Sequence, residues 1–395
     1  MSRQPISEAA SLTILMVGIA AVGIQALMLS PLLPDIAAAL QASPREIGFA
    51  TGAYGAGVAL AALLAAPKLG QWQKARAIRT AFMVMGAGLA LCGLAWDWRL
   101  LVVGQAVTGL AAGIILPATY GLAAELASPD RRSRAIGKVI LGWSVAMVGG
   151  IPLAAFLSDL IDWRSTFALM TAICTAMVLL IGIVPRGSGT IAADRISYAR
   201  VFELPGMKLC FLATFAYMIA FYQTYTFVGD HVRHLHHAGA WLGGALACSY
   251  GVGFGAAVLG NAWLDRMGPV RLMALSLFLV GINYLILPYA VLTLWSTLAF
   301  PFVWGLANHI CMNVLVSFIG SAPASARSTA MGLFSFITYV AVGLGGAVFG
   351  SVYTHAGFAA VSFAATAMLW CAALAVALFL RRQVAPAQMP STTMN

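Results

Sequence analysis

Charge is what this sequence has least of. Only 9% of its 395 residues are charged, and 61% are hydrophobic, where a soluble domain carries about 25% charged residues. A chain so poor in charge cannot dissolve as a globule, so the bilayer is its expected solvent. Just 12 residues are acidic, and none falls in the middle of a long apolar run. Paired carboxylates at membrane depth are thereby excluded. There is no Walker-type phosphate loop, which argues against ATP-driven work by this chain. Six cysteines (Cys92, Cys174, Cys210, Cys248, Cys311 and Cys371) all lie inside apolar runs, and no CxxC pair exists. They read as small packing residues rather than metal ligands or a redox pair. No cofactor and no metal site is expected.

What is present is a series of long apolar runs. Each helical span needs roughly 20 apolar residues, and twelve runs fit: 12–33, 47–67, 77–96, 99–122, 136–158, 164–184, 206–228, 240–262, 269–290, 294–317, 328–351 and 357–380. Their length and lack of alternation indicate helices rather than barrel strands. The first run is too long for a signal peptide and has no evident cleavage site, so it counts as a span. The net charge of +10 does not indicate nucleic acid. With twelve spans, the 22 basic residues sort to the side of the termini, leaving Arg45, Arg99, Arg164 and Arg233 on the other. By the positive-inside rule both termini are cytoplasmic, which places the chain in a bacterial-type inner membrane.

The chain reads as two copies of one plan. Gly260-Asn-Ala-Trp-Leu-Asp-Arg-Met-Gly-Pro-Val-Arg271 is a tight charged turn between two apolar runs. Asp265 and Arg266 mark the membrane boundary, Gly268 permits a left-handed turn, and Pro269 opens the next helix. A weaker copy, Gly70-Gln-Trp-Gln-Lys-Ala-Arg-Ala-Ile-Arg79, lies about half a chain earlier. Arg134-Ala-Ile-Gly137 has a counterpart in Arg327-Ser-Thr-Ala-Met-Gly332, and Gly149-Gly150 one in Gly345-Gly346. Repeats of this kind suggest a transporter. The domains expected are a bundle over 1–184, a linker over 185–205, a second bundle over 206–382 and a tail over 383–395.

Pro31 and Pro34 are expected to stop or bend the first helix, with Asp35 then capping a short outer helix. Gly149 and Gly150 are expected to pack closely, and Pro152 to bend the fifth helix. Asp230-His-Val-Arg-His-Leu-His-His237 has no zinc-module spacing and reads as a solvated outer loop after the seventh helix.

These motifs resemble the major facilitator superfamily, and within it the twelve-helix drug:proton antiporter-type exporters. The resemblance rests on Pro31-Leu-Leu-Pro-Asp-Ile36, on Pro129-Asp-Arg-Arg132 with Arg134–Gly137, on Gly142 to Pro152 with Trp163, Arg164 and Phe167, and on Asn261 to Gly268 with Arg271. It covers nearly the whole chain and implies an all-α membrane fold of two six-helix bundles that alternate access to a central cavity. Two departures stand out. Lys74 occupies the place of the family's loop aspartate, and Gly104 aligns with a fourth-helix arginine commonly tied to proton coupling. The resemblance gives Asp265 a gate role beside Arg134 at the start of the fifth helix, and sets Lys74 against the start of the eleventh helix near Arg327. An asymmetric inner gate follows; alternatively, Asp265 and Arg266 merely mark topology.

An ionisable residue in the membrane is a functional candidate by default. His309 is the one at mid-depth, four residues before Asn313 and beside Asn308. It reads either as a proton carrier or as a neutral ring bonded to a neighbouring helix. Asp35 is the second coupling candidate. Cavity candidates are Gln25, Tyr54, Gln105, Tyr120, Trp143, Tyr222, Gln223 and Tyr225, whose rings and amides suit an amphipathic ligand. A cavity without carboxylates predicts neutral, weakly acidic or zwitterionic substrates over permanent cations. The expected function is proton-coupled efflux of small organic molecules by a monomer. Uptake or exchange of a small organic acid or nutrient is the alternative. A membrane-embedded enzyme lacks any catalytic constellation here.

Overall fold

The computed structural model describes residues 7–65, 73–128, 131–185, 197–257 and 269–384. The regular elements among the described residues are helices, with no strand. In order they are α1 Glu8–Leu27, α2 Leu29–Ala39, α3 Pro44–Ala65, α4 Lys74–Gly93, α5 Trp98–Leu126, α6 Arg132–Val145, a π-helical turn Ala146–Gly150, α7 Ile151–Leu160 and α8 Trp163–Ile181. Then come α9 Tyr198–Glu203, α10 Met207–His236, α11 Ala240–Ala256, α12 Pro269–Ala290, α13 Leu294–Gly320 and α14 Ala324–Val384. Joined pairs α1/α2 and α6/α7 each form one crossing. Gly357 breaks α14 into two limbs with φ 78° and ψ 177°, a conformation a side chain would resist. The result is a twelve-helix membrane fold.

Local chemistry explains the boundaries. Backbone groups find no water in hydrocarbon, so each span closes its own ladder and needs help only at its ends. Ser7, Asp97, Asp162 and Thr293 supply that help, accepting from the backbone N–H of Ala10, Arg99, Ser165 and Ser296. Pro31 cannot donate to Leu27, and its ring crowds that carbonyl. The first crossing therefore breaks at Met28, ahead of both prolines. Asp35 consequently lies inside α2 and is not the helix cap that the sequence suggests. Pro152 acts in the same way one turn upstream, where the π-helical turn absorbs the lost bond.

Two further expectations are corrected. The His-rich segment 230–237 is the last turns of α10, which runs to His236, and not a loop. A short helix, α9, capped by Ser197, occupies part of the expected linker. The turn carrying Asp265, Arg266 and Gly268 lies outside the described residues, as does the side chain of Arg271.

Helices α1–α8 pack into one half and α10–α14 into the other. Leu60, Leu64, Met83, Phe156, Leu179 and Phe278 stay exposed, an apolar outer surface that suits lipid and not water. Small residues let the backbones approach. A Cβ at Gly109 would meet the Tyr54 carbonyl of α3. The halves touch along two seams, and α2 also lies against α10 and α11. From Arg45 against Gly350 to Gly55 against Tyr339, α3 lies on the first limb of α14. From Asp159 against Gly239 to Met147 against Gly251, the fifth crossing lies on α11. Both seams include the end of the bundle opposite the termini, called the far end below.

Gly109→Ala is therefore expected to destabilise the protein by about 1–3 kcal/mol, the cost of overpacking. Gly137→Ala, whose added methyl meets nothing within 4 Å, is expected to be neutral or mildly stabilising. Unfolding in detergent micelles by chemical denaturant compares the two.

Candidate functional site

The centre of the first half is polar but uncharged. The Gln25 side-chain amide on α1 donates to Gln105 Oε1 at 2.8 Å and to Thr108 Oγ1 at 3.1 Å on α5. Gln105 in turn donates to Cys92 Sγ on α4 at 3.6 Å. Gly104 backs onto α4, where any Cβ would press on Cys92 and the Gly88 carbonyl. An arginine at Gly104 would have to displace that helix, so α5 presents Gln105 to α1 instead. Trp143 Nε1 donates to the Tyr120 hydroxyl at 3.0 Å, and the Trp143 ring lies over Gly23.

Tyrosines of both halves line the seam between α3 and α14. Tyr54 precedes Gly55, on which the Tyr339 carbonyl of α14 packs, and Tyr222 of α10 packs on Gly345 of α14. Behind them α10, α11 and α13 build an aromatic block. Phe221 stacks on Tyr225 at 5.4 Å, and Trp304 meets Tyr250 edge-on at 5.0 Å. Such contacts give apolar area with fixed geometry. The hydroxyls of Tyr54 and Tyr225 have no hydrogen-bond partner among the described residues. His309 is half-buried at the edge of the block, with its ring edge-on to Phe254 at 4.7 Å.

Several cavity candidates brace their own half instead. Gln223 donates to the Val361 carbonyl on the second limb of α14. Asn308 donates to the Trp304 carbonyl, and its own carbonyl accepts from Tyr217. The Gln25 and Gln105 amides face each other. Asn313 accepts from Ser317 on its own helix. The hydrogen bonds that join the halves lie instead at the far end. Tyr339 and Tyr250 carry little signal in the sequence, since one sits between Thr338 and Val340 and the other between Ser249 and Gly251.

The far end holds charge that the sequence appeared to leave in solvent. Arg233 of α10 is 9% exposed and Asp230 is 3% exposed. Arg233 forks onto Asp35 of α2, with Nη2 to Oδ1 at 2.6 Å and Nη1 to Oδ2 at 2.9 Å. It also donates to the Pro31 carbonyl at 2.7 Å. Ser158 of α7 donates to Asp35 Oδ2 at 3.1 Å. A bidentate guanidinium–carboxylate pair is strong and orientation-specific, and this one joins the two halves. Beside it the Tyr353 hydroxyl donates to Asp230, which also lies 3.5 Å from His234 Nδ1. Ser30 donates to the Tyr225 carbonyl across the same seam.

At the opposite end Lys74 pairs with Glu125 of α5. It does not face the eleventh crossing near Arg327, as its place in the motif suggests. The reason is local. Lys74 begins α4 and Glu125 ends α5, so each sits at the helix end its own dipole disfavours. Pairing cancels both penalties within one half. Arg134 lies exposed in the first turn of α6. Of the glycine pair, Gly150 packs on Ile24, while Gly149 has nothing within 4 Å of an added Cβ and makes no close contact. Among the described residues, no group of three His, Cys, Asp or Glu side chains is placed to hold a metal ion.

Comparison with known proteins agrees with this architecture. The chain is 28% identical over 370 residues to the MFS-type transporter YwfA of Bacillus subtilis (strain 168), covering 92% of this chain and 88% of that protein. The fold matches a bacterial homologue of the human lysosomal transporter Spinster in an inward-facing, unoccupied conformation, with a TM-score of 0.73, 15% identity, and coverage of 96% of this chain and 95% of that one. It also matches the nucleoside transporter NupG, with a TM-score of 0.77, 15% identity, and coverage of 94% and 99%. The family model of the Major Facilitator Superfamily matches residues 15–321. With its two six-helix halves and their shared seams, the chain belongs to the Major Facilitator Superfamily and is a transporter.

Proposed function

We propose that the protein is a secondary-active exporter of small neutral, weakly acidic or zwitterionic amphipathic molecules, driven by protons and working by alternating access. The observation that carries this reading is the closure of the far end, where both seams and an ion pair tie the halves. The charge bias of the loops is read as putting the termini in the cytoplasm of a bacterial-type inner membrane, so the closed end faces outward. Asp35 and Arg233 then act as the latch of the outer gate. With both Asp35 oxygens engaged, that carboxylate serves closure rather than proton transfer, which leaves the proton to His309. Asp265 is the candidate for the corresponding inner latch, as the family resemblance implies. Lys74 takes no part in it, because Glu125 holds it within the first half.

Substrate class follows from the centre. Tyr54, Tyr120, Tyr222 and Tyr339 offer rings and hydroxyls, and the amide network behind them is neutral. That set holds no carboxylate to offset the desolvation of a permanent cation, and ring contact alone returns only about 2 kcal/mol. A flexible neutral molecule loses far less on entering.

Two outcomes are expected. In proteoliposomes with an imposed pH gradient, a panel of amphipathic compounds should include neutral or weakly acidic members that dissipate the gradient through the wild type. Quaternary ammonium dyes should not do so. His309→Ala should abolish the proton flux while substrate counterflow persists. Saturable transport of quaternary dyes, or wild-type proton flux in His309→Ala, would overturn the reading. Second, Asp35→Asn should lower net transport by at least roughly tenfold, since it leaves the buried Arg233 guanidinium without its counter-ion. The swap of Asp35→Arg with Arg233→Asp should recover part of the loss. Initial rates of substrate efflux from loaded vesicles measure both.

A further inference from the structure

The start of α11 is capped by the other half of the molecule. The residue before it, Gly239, provides no side-chain cap of its own. Instead the carboxylate of Asp159, at the end of α7, receives the first two backbone N–H groups of α11. Ala240 N donates to Oδ1 at 2.6 Å and Trp241 N to Oδ2 at 2.7 Å. Both carboxylate oxygens are used, and both donors are groups that a helix leaves orphaned at its N-terminus. The negative charge also sits at the positive end of the helix dipole. The neighbouring residue, Ser158, is the one that holds Asp35 in the ion pair with Arg233.

We propose that Asp159 is a gate-positioning residue of the transport cycle. It caps α11 only while the far end is closed, and it is joined through Ser158 to the Asp35–Arg233 latch. The last turn of α7 then carries two contacts that must break together when the halves part. On opening, α11 loses its cap and Asp35 loses its counter-ion in one movement. The far gate is thus cooperative, and its closed state is stabilised by a helix terminus as well as by an ion pair. Caps that remain within one half, such as Asp162 on Ser165, are made in every state of the cycle and cannot bias it.

That contrast supplies the test. Thr51, 6% exposed on α3 and packed against Gly346 of α14, lies in the other seam and reports opening of the whole far end. The experiment uses Thr51→Cys in the full-length protein with Cys248→Ser and Cys371→Ser, and a water-soluble maleimide in detergent micelles. Asp159→Ala should raise the labelling rate of the introduced thiol roughly fivefold, the factor that loss of a typical helix cap gives. Asp159→Asn, which keeps one acceptor oxygen, should fall between, and it carries the same test if the alanine variant does not purify. Asp162→Ala should leave the rate at that of the parent. Equal labelling in the Asp159 and Asp162 variants would reduce Asp159 to an ordinary helix cap and overturn the proposal. The measurement needs no substrate, so its failure leaves the transport reading intact.

Discussion

Hydrocarbon offers no hydrogen bonds, and the rest of this structure depends on that refusal. It forces the backbone into helices, since each span must satisfy its own N–H and C=O groups. It also forces polar side chains in the spans to find partners nearby. Gln25 finds Gln105, Gln223 finds a backbone carbonyl, and Asn308 finds another. These side chains look like binding groups in a linear reading. Each is one of few polar residues in an apolar run, and the same scarcity explains why they are consumed locally.

Charge obeys a stricter version of the rule. Buried charged side chains here have polar partners aimed at them. Arg233 and Asp35 meet this condition across the halves, and Lys74 and Glu125 within one half. Geometry therefore separates their roles. A pair that crosses the seam breaks when the halves move, whereas a pair inside one half moves as a unit. Asp159 follows the first pattern with a helix terminus as its partner. The far end thus gathers contacts of different chemistry that share one seam.

The two halves differ in what fills their centres. In the first, the Gln25–Gln105–Thr108 amide network joins α1 to α5. In the second, aromatic rings of α10, α11 and α13 pack around the buried Trp304. One centre is held by hydrogen bonds and the other by ring contacts of fixed geometry.

Much of the architecture is determined by the sequence alone. The apolar runs, their number, the repeated turns and the sorting of basic residues follow from hydrophobic length and the cost of charge, which are properties of local stretches. Tyr54, Tyr120, Trp143, Tyr222 and His309 are legible as candidates for the same reason. Partnership is not legible. Asp35 reads as a cap because Pro34 precedes it, and segment 230–237 reads as a loop because it is rich in histidine and charge. Only the tertiary structure brings Arg233 to Asp35, α11 to Asp159 and Lys74 to Glu125. A buried charge is decided by its partner, and a partner many spans away leaves no trace in the local pattern.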